Sequence, residues 1–337
     1  MSSRPTISAI IVNWNHGAYL ESCLEALCAQ QGPDLEVVVV DNASTDGSVQ
    51  KLSRHASRAR LLRMSENVGF SRAFNSGVKA AGGQYMLSLN PDVFVRPGFL
   101  SALVDAMEAD PRIGSAAPKL LRADDPAVLD STGLFVDRRR RTYDRGQGQM
   151  DAGQYDRMVE VFGACGAAAI YRRTMLDDVA IDGQFLDERF FAYYEDADLA
   201  WRAGLRGWRC VFVPTAVCEH VRGWGDTLRK RGHARKAGSG PRLALRNRYL
   251  MTIRNDTLGH FLLDLPWIVT AEIPRLAYAA MARPLTLMGL LDLIAAAPDA
   301  VRKRQYIRAS ATVDDGALRH WFVERAATAA QSGGAAC

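Results

Sequence analysis

The chain is short of the features that would assign it to a simple class. Its six cysteines (Cys23, Cys28, Cys165, Cys210, Cys218 and Cys337) are scattered and form no C-x-x-C pair, which excludes a disulfide scaffold. No G-x-G-x-x-G follows the first strand signal, and no G-x-x-x-x-G-K-[ST] occurs anywhere. A nicotinamide enzyme and a P-loop NTPase are therefore disfavoured. There is no internal repeat, and no uninterrupted apolar run reaches the roughly 18 residues of a spanning helix. Met1–Thr6 lacks the apolar stretch of a signal peptide, so a cytoplasmic protein with reduced thiols is expected. What is present is ordinary: 337 residues, 48% hydrophobic and 23% charged. That usage fits a folded chain of about two domains.

Charge is distributed unevenly. The net charge is only +5, yet Arg222 to Arg254 holds ten basic residues against one acid, Asp226. Such a field favours phosphates or an anionic membrane face; the alternative is a solvated helix face. Beyond Pro241, Phe261–Ala282 and Leu285–Ala297 are rich in Leu, Ala, Ile and Met, with Arg302-Lys303-Arg304 following. These helices fit either a peripheral membrane segment or a soluble helical subdomain. The expected division is a catalytic domain over 1–240, a helical, membrane-associating segment over 241–310 and a partly disordered tail over 311–337.

The first two hundred residues alternate strand and helix signals. Thr6–Val12, Leu35–Val40, Arg60–Arg63 and Tyr85–Leu89 read as strands, with helices over Tyr19–Gln30 and Ser71–Ala81 between them. The alternation implies an α/β fold with a mainly parallel, doubly wound sheet. Its chemistry belongs at the carboxyl ends of the strands.

Those ends carry polar residues in a definite order. After the first strand stands Asn13-Trp14-Asn15, where Trp14 offers a ring for a base to stack on. Asp41 ends the second strand and can accept a uracil or thymine N–H, whereas Asp46 reads as a helix cap. Asn67-Val68-Gly69 permits close backbone approach, Ser71 opens a helix whose N-terminus can face a diphosphate, and Arg72 adds a charged fork. Asn90-Pro91-Asp92 forms a rigid turn with oxygen ligands suited to Mg²⁺ or Mn²⁺. An aromatic stretch ending in Tyr193-Tyr194 precedes Glu195-Asp196-Ala197-Asp198, where a carboxylate desolvated in a cleft wall becomes a usable general base. Asp198 and Arg202, four apart, are expected to pair. Cys210, Cys218 and His220 do not match a zinc motif.

Taken together, these segments resemble a family-2 inverting glycosyltransferase of the GT-A fold, in the branch holding bacterial rhamnosyltransferases and galactofuranosyltransferases. The resemblance spans roughly residues 6–225. It implies base contacts from Trp14 and Asp41, flanked by Asn13 and Asn15. Nucleoside and diphosphate contacts would come from Asn67, Gly69, Arg72, Asn75 and Asn90. Asp92 matches the second aspartate of the family's D-x-D metal motif, with Asn90 in place of the first, and His220 resembles a histidine of the metal shell. Asp196 resembles the general base, with Glu195 beside it. Gly163, Cys165, Gly166, Tyr194 and Trp224 fall on the acceptor side. The implied partners are a nucleotide-diphosphate sugar, dTDP-rhamnose or a UDP-sugar, a saccharide or lipid-linked acceptor, and an anionic membrane surface, with no nucleic acid. Two alternatives differ in kind. A sugar-1-phosphate nucleotidylyltransferase would need a Gly-rich N-terminal signature that is absent, and a non-catalytic scaffold would not need Asp92, Glu195 and Asp196.

Overall fold

A computed structural model of the chain describes residues 7–52, 57–222 and 240–323. One mixed sheet organises it. β1 (Ile7–Asn13) is buried throughout; Ile7, Ala9 and Ile11 enter one apolar cluster and Ile10 and Val12 another. Coverage on both faces is why the strand reads as a continuous apolar run. α1 (Leu20–Cys28) turns Leu20, Cys23, Leu24 and Leu27 onto the first cluster. β2 (Leu35–Asp41), the one-turn α2 (Ser48–Lys51), β3 (Arg60–Arg63), α3 (Phe70–Ala80) and β4 (Tyr85–Leu89) continue the alternation. The strands pair in the order β3-β2-β1-β4, all parallel as expected.

The other half of the sheet is mixed. It comprises β5 (Val93–Val95), α4 (Phe99–Glu108), β6 (Ile113–Arg122), β7 (Asp125–Ser131), β8 (Leu134–Asp137), β9 (Thr142–Asp144), β10 (Val159–Val161), β11 (Ala168–Arg172), α5 (Arg173–Val179), α6 (Glu195–Leu205) and β12 (Arg209–His220). β11 runs antiparallel between β4 and β6, and β12 lies parallel to β6. Pro214 has no N–H to give, and the β12 register slips between Val213 and Val217. The strand nevertheless continues to His220, carrying that residue to the edge of the cleft.

Three helices complete the fold: α7 (Gly240–Asn255), α8 (Leu258–Ala282) and α9 (Met288–Ser310). Leu250 and Met251 of α7 share an apolar cluster with Ala197 and Trp201 of α6 and Ala300 of α9. The stretch that follows ends in β13 (Phe322–Val323), which pairs with β8. The open positive field expected from the basic run is corrected over its described part. Arg242 pairs with Asp292 at 2.6 Å, Arg248 with Glu272 at 2.5 Å and Arg254 with Asp187 at 2.5 Å. Arg229 to Lys236 lie outside the described residues. Pro284–Ser310 is the one described helical stretch long and apolar enough to cross a membrane by length and composition. It is tied to the body by Asp292 to Arg242 and by buried Lys303 to Asp187 at 2.8 Å.

Candidate active site

The donor side is built from the ends of β1 to β4. Asn13 is fully buried, and its Nδ2 donates to Asp41 Oδ1 at 3.1 Å, Ser44 Oγ at 3.0 Å and Ser48 Oγ at 2.8 Å. It therefore orients Asp41 and the following loop from beneath. Asn15 Oδ1 accepts the Thr45 N–H at 2.8 Å, which ties the loops after β1 and β2 together beside Trp14, 36% exposed. Asp46 accepts from Gly17 and Ser48 N–H at 2.7 and 3.0 Å, although the N-cap of α2 is Gly47, one residue later than expected.

Asn67 Oδ1 accepts from Asn42 Nδ2 at 2.9 Å and from Gly69 N–H at 3.0 Å. Gly69 has φ of 82°, and a Cβ there would stand 2.6 Å from Phe191, so only glycine fits. The α3 N-terminus is less open than expected, because Phe191 O takes the Ser71 N–H at 3.2 Å. Arg72 pairs with Glu188 at 3.1 Å. Asn75 is buried and bonds the Leu186 main chain in both directions, at 2.7 and 2.9 Å. Its amide pins the 186–188 segment.

Asp92 and His220 come together at the turn after β4. Asp92 Oδ1 is buried with no hydrogen-bond donor, and His220 Nε2 stands 3.6 Å from it. His220 Nδ1 meets Asp130 Oδ2 at 2.7 Å. With Nδ1–H on that carboxylate, the Nε2 lone pair faces the same space as Asp92 Oδ1, the arrangement of a carboxylate-oriented metal ligand. Burial alone would lower the His220 pKa; the Asp130 bond and the Asp92 charge outweigh it and raise it. Among the described residues no group of three or more His, Cys, Asp or Glu is placed to hold a metal ion by itself. The unpartnered Asp92 oxygen and the His220 imidazole are a donor pair that would suit Mg²⁺ or Mn²⁺. Asp130 and Arg222, which pairs with Asp130 at 3.2 Å and Asp144 at 2.7 Å, are site residues the sequence reading missed. Asp130 carries no local motif, and Arg222 is hidden in the basic run.

Across the cleft, Asp196 Oδ2 accepts the Gly166 N–H at 3.0 Å and Oδ1 the Ala197 N–H at 2.8 Å. Asn90 N–H in turn donates to Ala167 O at 2.8 Å, so a single loop joins the acid to the turn bearing Asp92. Burial pushes both Glu195 and Asp196 above the usual carboxylate range, Glu195 further because Asp196 adds its charge. The two N–H bonds hold Asp196 lower. Glu195 Oε2 is buried with no donor. The Cys165 thiol is raised by burial and by the charges of Asp144 and Asp196. Gly163 serves packing, since a Cβ there would meet Ala200 of α6 at 2.6 Å. Tyr194 caps α6 with φ of 70°. Asp198 pairs with Arg202 at 2.9 Å as expected. Trp224 lies outside the described residues. A cavity of about 210 Å³ beyond α6, lined by Trp201, Trp208 and Leu318, shares no residue with this site.

Comparison with known proteins identifies the family and the fold. The family model for glycosyl transferase family 2 matches residues 8–180. An N-acetylglucosaminyl-diphospho-decaprenol L-rhamnosyltransferase of Mycobacterium tuberculosis is 30% identical over 240 residues, 64% of this chain and 75% of the relative. Among solved structures, S. aureus TarS 1–349 in complex with UDP-GlcNAc aligns with TM-score 0.59 at 18% identity, over 90% of this chain and 88% of that one. The mannosyltransferase PcManGT of Pyrobaculum calidifontis, in complex with GDP-Man and Mn²⁺, aligns with TM-score 0.54 at 20% identity, over 95% and 88%. The fold is that of the GT-A glycosyltransferases, and the chain belongs to glycosyl transferase family 2.

Proposed function

We propose that the chain transfers a sugar, rhamnose from dTDP-rhamnose in the favoured reading, to a hydroxyl of a lipid-linked saccharide, with inversion at the anomeric carbon and with Mg²⁺ or Mn²⁺. The observation that carries the reading is the juxtaposition of Asp92 and His220 with Asp196 through the 166–167 loop. Asp92 and His220 would hold the metal, which when bound offsets negative charge on the leaving diphosphate. Asp41 and Trp14 would receive the base. Asp196, ionised and held by two main-chain donors, takes the proton of the acceptor hydroxyl as that oxygen attacks from the face opposite the diphosphate. One base and one displacement account for inversion without a carboxylate nucleophile.

The acceptor class follows the mycobacterial relative, whose name specifies a GlcNAc-diphospho-decaprenol. It also follows an apolar face: Leu258, Leu262, Leu263 and Ile273 of α8 and Leu291 and Ile294 of α9 are all more than half exposed. Their polar neighbours Asp264 and Glu272 point inward to Arg140 and Arg248. Such a face suits helices lying on a membrane surface rather than crossing it, at the cytoplasmic side where sugar nucleotides are found.

The direct test is incubation of the protein with a GlcNAc-diphospho-lipid and a panel of dTDP-, UDP- and GDP-sugars, with Mn²⁺, Mg²⁺ or EDTA. Product anomers are read by NMR. Rhamnosyl transfer with inverted configuration, lost in EDTA, is expected. Transfer with retained configuration would overturn the single-displacement reading, and transfer undiminished in EDTA would overturn the metal.

A further inference from the structure

Just before Glu195 and Asp196 the backbone takes a course that L-residues avoid. Phe191, Tyr193 and Tyr194 have φ of 63°, 74° and 70°. Strain of this kind persists only where the surroundings over-determine it. Here two neighbouring side chains of α7 bond the loop's carbonyls, and Arg246 Nη2 reaches Arg189 O at 2.6 Å and Phe190 O at 3.2 Å. Asn247, fully buried on α7, points Nδ2 at the carbonyl oxygens of Phe190, Ala192 and Tyr193, each at 2.8 Å. Its Oδ1 accepts from Arg246 Nε at 2.9 Å, which fixes the amide with its N–H groups toward the loop.

The same helix holds the chain further along. Two turns on, Arg254 bonds Asp187 at 2.5 Å and Asn255 bonds Asp198 at 2.8 Å. α7 therefore grips the segment on both sides of the acidic pair. The loop also reaches the donor side, since Phe191 O holds the Ser71 N–H and its ring fills the space over Gly69.

We infer that Asn247 is a positioning residue for sugar transfer: its amide sets the left-handed turn that aims Asp196 at the acceptor. It acts through the main chain of residues 190–193. The inference rests on the reading of Asp196 as the base.

The test uses the full chain with Asn247→Asp, which keeps the shape and removes both donors. Three readings are taken: amide hydrogen exchange of the free protein, dTDP affinity with Mn²⁺ by calorimetry, and kcat and KM with dTDP-rhamnose and a GlcNAc-diphospho-lipid. Exchange should rise within 190–198 and stay unchanged across 7–52. The dTDP affinity should be kept. A misplaced base should lower kcat by about 100-fold with little change in acceptor KM. Exchange that rises uniformly, or kcat that falls only with the folded fraction, overturns the inference. If Asn247→Asp does not fold, Asn247→Ser, with one shorter donor, is judged by the same readings; an unchanged exchange pattern and kcat overturns it there. Asp196→Asn separates the two claims. An active Asp196→Asn removes the base reading, whereas an inactive Asp196→Asn beside a fully active Asn247→Asp removes the positioning role alone.

Discussion

The Gly166 N–H donates to Asp196 Oδ2 at 3.0 Å, and a Cβ on Gly166 would stand 3.3 Å from that same oxygen. The neighbouring Ala167 carbonyl takes the Asn90 N–H, so two residues of main chain set the span between the acid and the metal turn. Gly166→Ala should push the carboxylate by a few tenths of an ångström and lower kcat by roughly tenfold, with nucleotide affinity unchanged. Steady-state kinetics beside calorimetry checks this; an unaltered kcat would show that the bond does not set the geometry.

Asp196→Asn should bind nucleotide as the parent does and lose at least about 100-fold in turnover. As the proposed base, Asp196 would work ionised, so kcat should climb with pH. Burial and the nearby Asp144 raise its pKa, and the Gly166 and Ala197 donors only partly oppose them. The acid limb of the kcat profile should therefore lie above the ordinary carboxylate range. A limb at ordinary values or below would assign the base elsewhere.

Glu195 gives a prediction that needs no substrate. Burial, then the charges of Asp196 and Asp198, raise its folded-state pKa well above the unfolded value. The stability it contributes is whole below the ordinary carboxylate range and is lost as pH rises toward the folded-state pKa. Glu195→Gln should raise the melting temperature at pH 8 and change it little at pH 4. An equal effect at both would show that the carboxyl is not kept neutral by the fold.

For the metal, Asp92→Asn and His220→Gln should each abolish the Mn²⁺-dependent part of nucleotide affinity. Asp130→Asn, which weakens the acceptor behind His220, should cost about tenfold in Mn²⁺ affinity. Calorimetric titration of Mn²⁺ in the presence of dTDP reads all three. Full Mn²⁺ dependence in His220→Gln would leave Asp92 without its partner.

For the apolar face, Leu262→Glu combined with Ile273→Glu should abolish co-sedimentation with anionic vesicles while leaving the melting temperature unchanged. Truncation after Pro241 is a poor test, because it also removes the Asn247 clamp. Vesicle binding that survives the double substitution would exclude α8 as the contact.

Much of the donor half is legible in the sequence. β1, β4 and the body of β2 are covered on both faces, so Val37 to Val40 stand out as an unbroken apolar run, and the residues after each strand fall where the chemistry belongs. β6 to β10 are not legible. β7 begins Asp-Pro and leaves its first three residues exposed, and β9 and β10 have three residues each, too few for alternation to show. Buried amides are the other blind spot. Asn13, Asn75 and Asn247 are all buried amides, and nothing local says whether such an amide meets a ligand or an oxygen of the chain itself, the Asp41 carboxylate 28 positions away or a main-chain carbonyl 111 or 57 positions away.

Asp187, buried between Arg254 and Lys303, has a practical consequence for anyone recombining this enzyme with its relatives. Breaking such a pair from one side typically costs about 3–5 kcal/mol. A hybrid spliced near residue 240 strands a carboxylate and two cations, even though the family match ends at residue 180. Exchangeable modules must therefore run through residue 310, so that donor preference and the helical appendage are inherited as one block.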